Sequence, residues 1–143
     1  MATHNAIADA LESIVAASDA AVRFYPEPHE KPAGDVSAEL YFQDLQRIGH
    51  GANAVWTVQA IIEFSTPANL PGWGQAVRRI RALCDPSGSA SVLAAVEADP
   101  TLEGVVTGAL AAPGSATGDE IKKRYADGER WCKELRLEVT FNA

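Results

Sequence analysis

SVLAAVEADPTLEGVV, residues 91–106, reads as a short helix, an abrupt stop at Asp99-Pro100 and a strand restart. Proline lacks a backbone N–H and disfavours helical geometry in the residue before it, so a helix carrying Val92, Leu93 and Val96 ends at Asp99. Leu102, Val105 and Val106 then resume apolar packing, and the chain runs on as a strand from Gly104 to Ala111. Helix and strand thus alternate here within one short segment, which sets the pattern for the rest of the chain.

Upstream, VWTVQAIIEF alternates over Val55–Phe64: Trp56, Val58, Ala60, Ile62 and Phe64 make a core face, with Thr57, Gln59, Ile61 and Glu63 on the other. Trp73, Val77, Ile80 and Leu83 follow at helical spacing and end at Asp85-Pro86, while Arg78, Arg79 and Arg81 mostly point elsewhere. Ser87, Gly88 and Ser89 supply the loop and N-cap of the next helix. Ile7, Leu11, Ile14 and Val15 define an N-terminal helix with Asn5 as its cap. A short strand at Val22–Tyr25 leads into PEPHEKPAGDV, an exposed loop over Pro26–Val36, and a second strand spans Ala38–Leu45 before Gly49-His50-Gly51.

The C-terminal third is mainly strand. Asp127-Gly128 offers a tight turn into a closing strand with Trp131, Lys133, Leu135, Leu137, Val139 and Phe141 on a packed face and Arg130, Glu134, Arg136, Glu138 and Thr140 on a wet one. The order is helix, three strands, two helices, then strands. It specifies an α+β fold: a single mixed or antiparallel sheet of about four to six strands with two to three helices packed on one face. The chain of 143 residues forms one domain spanning 1–143, of a size that buries about 68–70% of its unfolded surface.

Composition narrows the function. With 47% hydrophobic residues, no apolar run approaches the roughly 18 residues of a membrane span. The N-terminus lacks a secretory pattern, because Asp9 and Glu12 interrupt its apolar positions. Nineteen acidic residues against twelve basic ones, a net charge of −7, argue against a surface that grips phosphate backbones. The clusters Arg78-Arg79-Arg81 and Lys122-Lys123-Arg124 read as a solvated helix face and a solvated strand edge. Cys84 and Cys132 form no CxxC pair and read as buried free thiols, with no zinc site.

No catalytic constellation emerges, and no catalytic, cofactor-binding or metal-ligating residue is assigned. His4, His29 and His50 lie in a terminus, a proline-rich loop and a glycine turn, none with a second ligand at i, i+4. PSGSAS at 86–91 opens a helix but lacks the lysine and spacing of a P-loop, so it serves as a cap. There is no GxSxG elbow or SxxK pair, and Asp119-Glu120 and Glu129 read as solvated turn carboxylates. Trp56 and Trp131 belong to packing faces. Trp73, between Gly72 and Gly74, can be aimed outward as a contact residue.

Taken together, the amphipathic first helix, VWTVQAIIEF, the second helix, ADPTLEGVV, and YADGERW running into LRLEVTF resemble the tail terminator, or head-to-tail joining, proteins of long-tailed bacteriophages. The resemblance spans most of the chain and treats Leu93, Asp99, Pro100, Leu102 and Gly104 as fold-defining; relatives often carry a second glycine where this chain has Glu103. It implies a non-enzymatic virion protein without cofactors, assembled in the host cytoplasm at the head-proximal end of the tail. Such a protein forms a homo-oligomeric, hexameric ring on the major tail tube protein, stops tube growth and meets the head-to-tail connector or stopper. DNA passes through the lumen without specific binding, with Asp119 and Glu120 as lining carboxylates. The loops at Pro26–Val36 and Ala112–Glu120 suit the contact surfaces. Another neck or head-completion protein, or a small-molecule-binding α+β domain, are the alternative readings.

Overall fold

The structure, a computed structural model, describes residues 3–29, 32–49, 51–111 and 120–142. Two long strands make its spine. β3 (Val55–Pro67) and β6 (Gly128–Phe141) pair antiparallel from Trp56↔Phe141 to Pro67↔Arg130. β2 (Ser37–Ile48) lies antiparallel on the other side of β3, and β1 (Arg23–Tyr25) adds in parallel to β2, which makes the sheet mixed. On the far edge of β6, β4 (Gly108–Ala111) pairs with residues 137–140 and β5 (Ile121–Tyr125) with residues 128–132. The result is the α+β fold read from the sequence: among the described residues, one six-stranded sheet with three α-helices on it.

Helices α1 (His4–Ser18), α2 (Trp73–Cys84) and α3 (Val92–Ala98) cover one face. Ile7, Leu11 and Val15 of α1, Ile80 and Leu83 of α2, and Val92 and Val96 of α3 join Leu40, Ile62, Phe64, Leu135, Leu137 and Val139 in one apolar core. Each such side chain contributes about 1.5–3 kcal/mol on burial, so period-2 and period-3.6 patterns that converge on one layer dominate the fold's stability. Asp85 and Asp99 end α2 and α3 as their following prolines require.

Several local expectations are corrected. Thr3, not Asn5, caps α1: its hydroxyl accepts the Ala6 N–H, and Asn5 sits inside the first turn. Ser91, not Ser87–Ser89, caps α3; its Oγ accepts the Ala94 N–H and donates to the Asp85 carbonyl, tying the two helix ends together. β2 does not end at Leu45. A bulge sets Asp44 and Leu45 against Val58, with Asp44 at φ 57°, and pairing resumes at Gln46↔Thr57 as far as Ile48. The extra residue inverts the alternation, so Arg47 now shares a face with Trp56 and stands over its ring.

The strand restart after Pro100 is delayed until Gly108. Leu102, Glu103 and Gly104 instead form a left-handed turn, at φ 51°, 59° and 82°. Asp99 holds it by accepting the Glu103 N–H at 2.8 Å and the Thr101 hydroxyl at 3.0 Å, while Thr101 accepts the Gly104 N–H. Leu102 and Val106 are thereby buried from a turn rather than from a strand. Glu103 occupies a conformation that glycine adopts without strain.

Candidate functional site

The sheet face turned away from the helices is wet only in part: Glu134, Arg136, Glu138 and Thr140 of β6 are half-buried, whereas Arg130 is not the solvated residue that alternation suggested. Ser37, Glu39, Glu63, Ser65 and Arg130 on this face are all buried. Register explains the gathering: Glu39 lies directly opposite Glu63, and Glu63 opposite Glu134, so three carboxylates form a row across β2, β3 and β6. Directly opposed like charges destabilise a sheet unless neighbours compensate. Lys123 reaches in from β5 to Glu63 at 2.6 Å and Glu134 at 3.6 Å, and the Tyr125 hydroxyl donates to Glu63. Tyr41 donates to Glu134 at 2.8 Å, and Arg136 pairs with Glu134 at 3.0 Å. Of the basic triplet 122–124, only Lys122 and Arg124 therefore belong to a solvated edge.

Farther along the same face, beside the Ser37–Ser65 pair, Arg130 is 3% exposed. It donates to Ser65 Oγ at 2.9 Å, Ser37 Oγ at 3.0 Å, the Ser65 carbonyl at 3.3 Å and the Pro32 carbonyl at 3.4 Å. Burial lowers its pKa, opposed by the fields of Tyr125, Asp127, Cys132 and Glu39. Glu39 accepts the His29 N–H through Oε2, while its Oε1 is buried with no hydrogen-bond partner. Burial raises the pKa of Glu39, and the neighbouring Glu63 adds to the rise. For Lys123 burial acts downward, but the bond to Glu63 and the fields of Glu63 and Glu134 outweigh it and leave the ammonium's pKa raised.

This network fastens two segments to the sheet: the β5–β6 hairpin, through Lys123 and Tyr125, and the loop after β1, through His29 and Pro32. The Pro26–Val36 loop is therefore not simply exposed. Pro32 and Val36 are buried, and the Ala33 N–H meets the Tyr25 hydroxyl at 2.9 Å.

The other singled-out residues resolve as follows. The His4 ring packs edge-on against Phe42 at 4.6 Å, and His29 lies against Tyr25 at 4.4 Å; His50 is outside the described residues. Cys84 and Cys132 are buried free thiols, Cys84 in the helix-side core and Cys132 on the opposite face, each pushed up to about 12 by burial. Trp73 is 45% exposed and stacks on Trp131 at 5.8 Å, with Lys122 Nζ 4.9 Å above Trp131. Residues 112–119, and with them Asp119 and most of the second contact loop, lie outside the described residues. Glu120 does not present a free carboxylate: Arg81 holds it bidentately at 2.6 and 3.0 Å and lowers its pKa.

Two surfaces remain open. Exposed apolar side chains occur at the β2–β3 hairpin, Leu45 and Ile48, and on the outer edge strands, Leu110 of β4 and Ile121 of β5. A groove of about 530 Å³ runs between α1 and the α3 turn, with Ala10, Ile14, Leu102 and Val105 in its lining and the carboxylates of Asp9, Asp99 and Glu103 beside them. Among the described residues no group of three or more His, Cys, Asp or Glu side chains could hold a metal ion, and no helix is long and apolar enough to cross a membrane.

The row Glu39–Glu63–Glu134 and the neighbouring Arg130 site are not legible in the sequence because only register brings them together. The available signal was the charge within otherwise apolar strands. No protein-family model matches this chain, and no curated protein matches it.

Proposed function

We propose that this chain is a structural ring protein of a bacteriophage tail: it caps the head-proximal end of the tail tube, ends tube polymerisation and provides the surface that meets the head connector. The sequence resemblance suggests the role. The observation that carries it is that one chain exposes unlike apolar surfaces at separate places, Leu45 and Ile48 on the β2–β3 hairpin and Leu110 and Ile121 on the outer edge. Contacts between unlike patches are heterologous and close into rings when the rotation allows. A network that pins a loop and a hairpin onto the sheet suits a part that must present fixed surfaces to a tube and a connector.

The net charge of −7 fits a ring through which DNA slides without sticking. Locating the chain in assembled particles by electron cryomicroscopy tests the reading. An annular density at the head-proximal end of the tail is expected; a position in the neck above the connector would favour a head-completion protein, and absence from the particle would defeat the virion role.

A further inference from the structure

Glu39 and Glu63 are directly opposed across β2 and β3, at 6% and 7% exposure, yet their hydrogen bonding is unequal. Both oxygens of Glu63 are partnered, Oε2 by Lys123 at 2.6 Å and Oε1 by the Tyr125 hydroxyl. Glu39 accepts the His29 N–H through Oε2 at 3.2 Å, and its Oε1 is buried with no hydrogen bond. The Tyr125 hydroxyl also acts on the Glu39 carboxyl, but its single proton is given to Glu63, which leaves its oxygen free to accept. The other groups around Glu39 are engaged elsewhere. Arg130 of β6 donates to Ser37, Ser65 and two carbonyls, Lys123 of β5 lies on Glu63 and Glu134, and the hydroxyl of Tyr25, the β1 residue paired with Glu39, meets the Ala33 N–H.

We propose that Glu39, Tyr125 and Glu63 form a proton-operated clasp on the β5–β6 hairpin. A proton taken up from solvent by Glu39 Oε1 turns that oxygen into a donor, which the Tyr125 oxygen accepts while the tyrosine's own proton stays on Glu63. Glu39, Tyr125, Glu63 and Lys123 then make one continuous chain, in which each hydrogen bond polarises the next. Without that proton, two opposed carboxylates compete for one hydroxyl. Burial and the charge of Glu63 both favour the neutral acid at Glu39. The clasp acts on β5, because among the described residues this strand pairs with β6 alone and carries both Lys123 and Tyr125. Proton uptake therefore sets how firmly the hairpin that exposes Ile121 is held, which goes beyond the ring reading and does not depend on it. β4 pairs with a different stretch of β6, residues 137–140, and supplies no side chain to the clasp, so it serves as an internal control.

The test is amide hydrogen exchange of the whole chain from about pH 5 to pH 8, a range above ordinary carboxylate values, with rates corrected for intrinsic exchange. The Arg81–Glu120 pair next to β5 stays ionised there, because Arg81 holds the Glu120 carboxyl below its usual range. Carboxyl-carbon NMR follows the titration of Glu39 in parallel. Protection of the β5 amides should rise several-fold as pH falls through that titration, while protection of β4 stays level. Glu39→Gln carries a donor and an acceptor at every pH, so it should hold β5 at the acid level throughout. Tyr125→Phe should keep the Glu39 titration and lose the β5 response. Protection of β5 that ignores pH, a Glu39→Gln chain that follows the wild type, or a Tyr125→Phe chain that keeps the full response would each overturn the clasp. If Tyr125→Phe does not fold, Glu39→Gln and the carboxyl titration decide the matter: a Glu39 carboxyl that titrates without a matching change in β5 overturns it.

Discussion

Glu39 and Glu63 face each other directly across β2 and β3, both buried, on the sheet face that the helices leave open. Glu63 is compensated by Lys123 and Tyr125, whereas Glu39 keeps one carboxylate oxygen without a hydrogen bond. The pair is thus asymmetric, and the asymmetry has measurable consequences.

Glu39→Gln should stabilise the protein at neutral pH by about 1 kcal/mol, because it removes a buried charge with an unsatisfied oxygen while the amide oxygen can still accept the His29 N–H. The folded-state pKa of Glu39 is raised, so the folded chain takes up the proton first and stability falls as pH rises through that window. Urea titrations across mildly acidic to neutral pH should show this fall in the wild type and a flatter profile in the variant. A variant less stable than wild type at pH 7 would refute it.

Arg130→Ala should cost about 3 kcal/mol. Its guanidinium donates to the Ser37 and Ser65 hydroxyls, to the Ser65 carbonyl in the sheet and to the Pro32 carbonyl in the loop, and truncation removes all four hydrogen bonds from a buried site. Chemical denaturation measures the loss, and hydrogen exchange should show faster exchange in the loop that Pro32 anchors.

Asp99→Ala should destabilise by about 1–2 kcal/mol, because the left-handed turn loses the acceptor for the Glu103 N–H and the Thr101 hydroxyl. Glu103→Gly at φ 59° should instead gain about 1 kcal/mol by relieving the conformation. Opposite shifts in melting temperature from adjacent parts of one turn are the expected signature.

Acid should weaken the protein through two ion pairs. Hydrogen bonding to Arg79 lowers the pKa of Asp19, and hydrogen bonding to Arg81 lowers that of Glu120, in each case against burial. Their stabilisation is complete above the unfolded carboxylate pKa values and disappears as pH falls through the lower, folded ones. Arg79→Met/Arg81→Met should shrink the loss of melting temperature between pH 5 and pH 2, a range of about three units set by ordinary carboxylates.

Deleting Lys133–Ala143 should abolish folding. β6 pairs with β3 on one edge and with β4 and β5 on the other, and Leu135, Leu137, Val139 and Phe141 are core residues. Leu93→Asp, 5% exposed in the core, should be similarly damaging, and His29→Ala should stay within about 0.5 kcal/mol. A soluble truncation with an unchanged thermal transition, or equal melts for the two point variants, would contradict this packing.

The sequence by itself determined the element order and the helix-side core. Alternation in VWTVQAIIEF, helical spacing around Ile80 and Leu83, and the prolines after Asp85 and Asp99 are local signals, and burial of one face makes them decisive. Helix caps were legible only to within a few residues, since Thr3, Asn5, Ser87 and Ser91 are all competent and hydrogen-bond geometry selects between them. The bulge at Asp44 and the left-handed turn at Leu102–Gly104 place non-glycine residues at positive φ, which composition does not announce. Tertiary structure alone decided the polar face: Glu39, Glu63 and the hairpin residues Lys123, Arg130 and Glu134 come from three separate parts of the sequence, and alternation marks the second face of each strand as solvent. Strand register and the β5–β6 hairpin bring Lys123 within hydrogen-bonding reach of Glu63 there, while Arg130 is satisfied by serine hydroxyls and backbone carbonyls, and those partners are what allow charged side chains to lie buried.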